Sequence, residues 1–159
     1  MKNFTLLLFL FSVQTVQAQN KLWIGGFSGT WSVAGNWSPS RTPRGNDTVI
    51  INQDANIALD INLTLGGLRI LNNASVTLDA PANRDVLLFG STQSSPALLV
   101  EEGCNFTMFT SGASGAFHMA FAIFAKAWIN GSFTCRGNTE NGDARLEADM
   151  EAPIKFILM

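Results

Sequence analysis

Leu68-Arg69-Ile70-Leu71-Asn72-Asn73-Ala74-Ser75-Val76-Thr77-Leu78 is the stretch that decides the fold class. Two apolar runs of strand length flank an Asn-Asn pair. Asparagine tolerates the left-handed conformation of tight turns, so the stretch predicts strand, turn, strand. Downstream, Glu102-Gly103-Cys104-Asn105-Phe106-Thr107-Met108 and Asn130-Gly131-Ser132-Phe133-Thr134-Cys135 share a phrase in which a glycine turn leads into a Phe-Thr strand. A turn followed by a Thr-bearing strand, returning roughly every 27 to 30 residues, is the trace that one winding of a β-solenoid leaves in sequence.

Working outward, short runs rich in Val, Ile, Leu and Phe are bounded by Asn, Asp, Gly and Pro: Thr48 to Ile51, Asn56 to Leu59, Leu65 to Leu71, Ser75 to Leu78, Val86 to Phe89, Ala97 to Val100 and Asn105 to Phe109. Their spacing fits a sandwich, a barrel or a solenoid of parallel strands. Ala116 to Ile129 is the longest apolar stretch. Its alternation places Phe117, Met119, Phe121, Ile123, Ala125, Ala127 and Ile129 on one face and predicts a strand, with a buried helix as the alternative. The tail from Arg136 to Glu151 is polar and patternless. Ile154 to Met159 then reads as a strand with nothing after it, which suggests a chain truncated from something longer.

Composition agrees with an all-β chain. Fourteen Gly, twelve Phe and four Trp accompany only 14% charged residues, too apolar for disorder and too weakly charged for long solvated helices. Ten Lys+Arg against twelve Asp+Glu leave no basic excess, which excludes a nucleic-acid partner held by phosphate neutralisation. The first 18 residues read as a secretory signal peptide: Lys2 is the positive end, Phe4 to Val13 the apolar run, and Val16-Gln17-Ala18 the cleavage signature. Roughly ten apolar residues span about 15 Å as a helix, half of a bilayer core, so a membrane anchor is not expected after cleavage at Ala18. The mature chain is then secreted or displayed on the cell surface. Export permits a disulfide between Cys104 and Cys135, although two unpaired thiols fit the sequence equally well.

From residue 19 to 47 the texture differs. Trp23, Trp31 and Trp37 fall among Gly25, Gly26, Gly29, Gly35, Pro39 and Pro43, as expected of a compact run of turns pinned by its indoles. Such a segment can lie over the first strands and shield their edges. Asn36 suits hydrogen bonding to turn amides, Pro43 stiffens the approach, and Asp47 can satisfy the turn before Val49-Ile50-Ile51 enters the core. The competing reading of the same aromatics is an exposed platform for stacking on sugar rings.

Trp23 to Ser38 together with Pro43 to Ile51 resembles the start of large exported surface proteins with autotransporter-like β-helix repeats, found in bacteria that use type IX secretion. The shared pattern is W-x-G, a second Trp, N-W, a Pro, and D-x-V-x-I. The resemblance implies an N-terminal cap followed by β-helix windings, a structural or adhesive role, and extracellular polysaccharide or other surface proteins as partners. It also implies O-glycosylation at Thr48 within Asp47-Thr48-Val49. The combined reading is an all-β, right-handed parallel β-helix or solenoid with an aromatic N-terminal cap over 19–47 and windings over 48–159. An antiparallel β-sandwich is the alternative.

No residue pattern supplies catalysis. Glu101 and Glu102 are adjacent and would face opposite sides of a strand, and Asp54 and Asp60 sit in turn contexts suited to capping. No G-x-S-x-G elbow is present, His118 lies in an apolar run, and Gly25-Gly26 and Gly66-Gly67 lack the residues of a phosphate loop. Two cysteines and one histidine are too few for a zinc site. No enzyme activity, metal or cofactor is expected, with a polysaccharide-degrading β-helix enzyme or a small carbohydrate-binding module as alternatives.

Overall fold

The fold is seen in a computed structural model that describes residues 18–90, 96–112, 116–122, 125–137 and 143–148. It is all-β, and its strands alternate: β8 (Ser75–Asp79) and β11 (Asn105–Phe109) bury every second side chain, the period a pleated strand imposes. Three sheets result. The first has the order β13 (Ala127–Ile129), β10 (Leu98–Val100), β7 (Gly67–Ile70), β4 (Thr48–Ile51), β1 (Asn20–Trp23), β3 (Trp37–Ser38). The second runs β14 (Ser132–Arg136), β11, β8, β5 (Ala55–Ala58), β2 (Ser28–Thr30). The third runs β15 (Asp143–Ala148), β12 (Ala116–Phe121), β9 (Arg84–Leu88), β6 (Leu63–Leu65).

Apart from β3, neighbours within each sheet are three strands apart in chain order and pair in parallel. Among the described ladders only β1–β3 is antiparallel, so an antiparallel sandwich is not the arrangement. In-register pairing lines up like residues. Val49, Leu68, Leu98 and Ala127 form one buried row, and Ile51, Ile70, Val100 and Ile129 the next. The repeated Phe-Thr phrase closes on itself, with Phe106 opposite Phe133 and Thr107 opposite Thr134.

The turns stack as well. Asn72 and Asn73 both adopt positive φ, at 63° and 57°, as the Asn pair predicts. Gly131 N–H donates to the Val100 carbonyl, and a Cβ on Gly131 would stand 2.3 Å from the Cys104 carbonyl oxygen and 2.4 Å from that of Glu101.

Four expectations are corrected. The run from Leu65 to Leu71 is broken at Gly66, where the chain turns from β6 to β7. A Cβ on Gly66 would lie 2.3 Å from the Asn46 carbonyl oxygen. Among its described residues the stretch from Ala116 to Ile129 is two strands in two sheets, β12 and β13, with an Ala125 N–H to Ala122 C=O bond between them and no helix; Ile123 and Phe124 lie outside the described residues. The tail taken as patternless contains β15, whose pairing with β12 was hidden by its charged sequence. The 19–47 segment is more than turns, since β1 and β2 extend the first two sheets by one strand each. Residues 1–17, which hold most of the expected signal peptide, and the final run from Ile154 to Met159 lie outside the described residues.

Because Gly131 has no room for a side chain, Gly131→Ala is expected to cost about 1–3 kcal/mol through forced backbone movement. Gly35→Ala, where nothing lies within 4 Å, should change stability little. Urea unfolding of both variants checks the contrast.

Candidate functional site

The segment 19–47 supplies the strands at one end of the first two sheets, and its chemistry starts with three indoles. Trp23 ends β1, Trp31 follows β2 and Trp37 begins β3, and all three are at most 1% exposed. Trp37 meets Trp23 edge-on with ring centroids 5.0 Å apart and Trp31 at 4.7 Å, geometries that favour aromatic pairs. Trp23 Nε1–H donates to the Gly26 carbonyl and Trp37 Nε1–H to the Trp31 carbonyl, both at 2.8 Å. Trp31 Nε1–H is buried without a partner, a cost of about 1–3 kcal/mol that its packing must exceed. Asn36 Nδ2 donates to the Thr30 carbonyl at 2.9 Å, and Gly25 and Gly29 admit the Trp23 ring where any Cβ would collide. None of the three rings offers a face to a sugar. The exposed apolar groups here are Ile24, Phe27 and Val33, the last preceding a 3₁₀ turn at Ala34–Asn36; their exposure had no signal in sequence.

Asp47 is the polar centre of the segment. Its buried carboxylate pairs with Arg41 Nη2 at 2.8 Å and accepts the backbone N–H groups of Arg44 and Gln19 at 3.0 and 3.1 Å. Its own carbonyl accepts from Gly66 N–H, which ties the loop to the corner after β6. Sequence reading placed Asp47 in a turn but missed Arg41, because nothing in the spacing indicates that its side chain folds back. Lys21 was also missed: it sits at an inward position of β1, fully buried, with Nζ donating to the Pro39 carbonyl at 3.0 Å. Burial pushes the Lys21 ammonium pKa below its ordinary value, and the nearby Arg41 and Arg44 lower it further against a smaller opposing pull from Asp47. Pro43, within the loop, is buried. Thr48, the residue of the expected modification, is only 8% exposed.

Between this loop and β6 lies a groove of about 790 Å³ lined by Arg41, Thr42 and Arg44 on one side and Ile61, Asn62 and Thr64 on the other. β6 is the edge strand of the third sheet, the sheet that gains no strand from the 19–47 segment.

The remaining candidates do not converge. Cys104 and Cys135 are both free thiols, one buried and one exposed. Cys104 precedes the Asn105–Ser132 pair while Cys135 follows it by three residues, a four-residue offset of roughly 13 Å along the strands, beyond disulfide reach. Asp54 accepts Ser75 N–H, Asp60 accepts Ser32 N–H and Glu101 accepts Asn72 N–H, so each stabilises a turn. Glu102 is exposed in the turn between β10 and β11, and His118 Nδ1 lies 3.4 Å from the largely exposed Asp85. Among the described residues no group of three or more His, Cys, Asp or Glu could hold a metal ion. Among the same residues no helix is long and apolar enough to cross a membrane. No family model, curated protein or solved structure matches the chain.

Two outcomes follow for the polar centre. Asp47→Asn removes the partner of Arg41 and is expected to lower stability by about 2–3 kcal/mol in urea unfolding. For Lys21, the unfolded chain binds the proton more tightly than the folded one, so its contribution to stability rises as pH climbs toward 10.5, the ordinary value. The difference in unfolding free energy between Lys21→Met and the parent should therefore shift in favour of the parent between pH 7.5 and pH 10.

Proposed function

We propose that this chain is a secreted or cell-surface β-helix with a structural and adhesive role and no catalytic activity, its first strands closed by an aromatic cap. The observation that carries the reading is the strand order: apart from β3, each sheet takes every third strand, in parallel and in register, while three buried indoles lie on and beside the strands at which the order begins. Parallel stacking of this kind gives an elongated rod whose backbone hydrogen bonds and apolar rows repeat at the strand spacing of about 4.8 Å. Its outer rows are suited to contact a polymer. Asn56, Thr77, Thr107 and Thr134 stand opposite one another along one sheet, all at least partly exposed.

The leader sequence supports export, and the carboxylates support a non-enzymatic role because those with assigned bonds are occupied as turn acceptors or as the partner of Arg41. The resemblance to autotransporter-like surface proteins points the same way. Extracellular polysaccharide is the partner that this reading favours.

Trp31→Ala is expected to cost about 3–5 kcal/mol in thermal or urea unfolding, because a fully buried indole is lost from a packed trio. An unchanged stability would contradict the cap. Incubating the purified protein with a panel of surface polysaccharides tests the role: retention without release of reducing ends supports adhesion, whereas turnover abolished by a single carboxylate substitution would establish an enzyme.

A further inference from the structure

The groove between the 40–45 loop and β6 has a charge that its surroundings do not explain. The chain as a whole carries a formal charge of −2, yet Arg41 and Arg44 both line this groove and no carboxylate is among its lining residues; the carboxylate of Asp47 lies behind them. That carboxylate is already committed, since it pairs with Arg41 and accepts two backbone N–H groups. Arg44 is exposed, lines the groove, and its guanidinium makes no hydrogen bond or ion pair among the described residues. The Asp47 bonds hold the loop so that Arg41 and the backbone of Arg44 are fixed before any ligand arrives. A planar guanidinium with unused donors beside a second one matches a carboxylate, which it can hold through two parallel hydrogen bonds.

We propose that this groove binds an acidic sugar residue of an extracellular polysaccharide, with Arg41 and Arg44 holding its carboxylate. The rest of the lining fits a sugar ring. Thr42, Asn62 and Thr64 offer hydroxyl and amide groups to ring hydroxyls, while the partly exposed Ile61 gives the ring an apolar surface. At about 790 Å³ the groove is within the range of small-ligand sites, and it is open enough for a polymer to continue past it. An extended peptide pairing with the free edge of β6 fits less well. That edge is three residues long, and Asn46 closes its far end against Gly66, so a ladder has no room to lengthen. The inference rests on the adhesive reading and names the polymer class it serves.

The test is calorimetric titration of the full chain with tetragalacturonate, a neutral galactose tetramer, inorganic sulfate and tetraglutamate. The expected result is binding of tetragalacturonate that weakens with salt, exceeds that of the other three probes, falls about tenfold or more in Arg44→Ala and is partly retained in Arg44→Lys. Since the Arg44 guanidinium is exposed and carries no hydrogen bond or ion pair among the described residues, its variants should melt with the parent, so a loss of binding is not a loss of folding. Equal binding of the neutral tetramer or of sulfate would overturn the proposal, as would preference for tetraglutamate. If tetragalacturonate binds but Arg44→Ala has no effect, the groove is wrong while adhesion stands. If the uronate does not bind and no polysaccharide is retained either, both fall.

Discussion

A stack of parallel strands has to begin somewhere, and at its beginning the backbone donors, acceptors and apolar rows of the first strands face water. Closing that end is the constraint on which the rest of this structure depends. The segment from 19 to 47 meets it in two steps: β1 and β2 add one strand to two of the sheets, and β3 turns back antiparallel along β1 so that the ladder ends on a strand running the other way. Trp23, Trp31 and Trp37 are then part of the buried core at that end, each removing roughly 150–250 Å² from water. At the third sheet the loop around Asp47 lies beside β6 instead of pairing with it, and the groove is the space that this difference leaves.

Much of the strand pattern was legible because side-chain alternation and turn chemistry are local. Thr48 to Ile51 and Asn105 to Phe109 stand where the sequence put them, and the two Phe-Thr phrases lie side by side because matching residues stack when strands pair in register. Corners were less legible. Gly66 breaks an apolar run only because Asn46, twenty residues earlier, presses on it, and no window of sequence contains both. The split between β12 and β13 was hidden for a related reason, since both halves continue one apolar alternation while belonging to different sheets.

The site was legible in part. Its aromatic residues, Asn36, Pro43 and Asp47 stood out by composition, but whether the indoles face inward or outward is a tertiary property that their spacing does not encode. Lys21, Arg41 and Arg44 went unnoticed because an isolated cation in a loop or at the start of a strand looks like ordinary solvated charge. Only the fold shows that Lys21 is buried, that Arg41 is bound to Asp47 and that the Arg44 guanidinium has no hydrogen bond among the described residues. Cys104 and Cys135 failed in the opposite sense: their sequence permitted a bond that the strand register puts out of reach.

The closed end is tested most directly by hydrogen exchange at the four indole N–H groups, followed by NMR under native conditions. Trp128, half-buried on the outer side of the first sheet, serves as the internal reference. The account predicts that Trp23, Trp31 and Trp37 exchange only through global unfolding while Trp128 exchanges freely. Exchange of the three at the rate of Trp128 would contradict it.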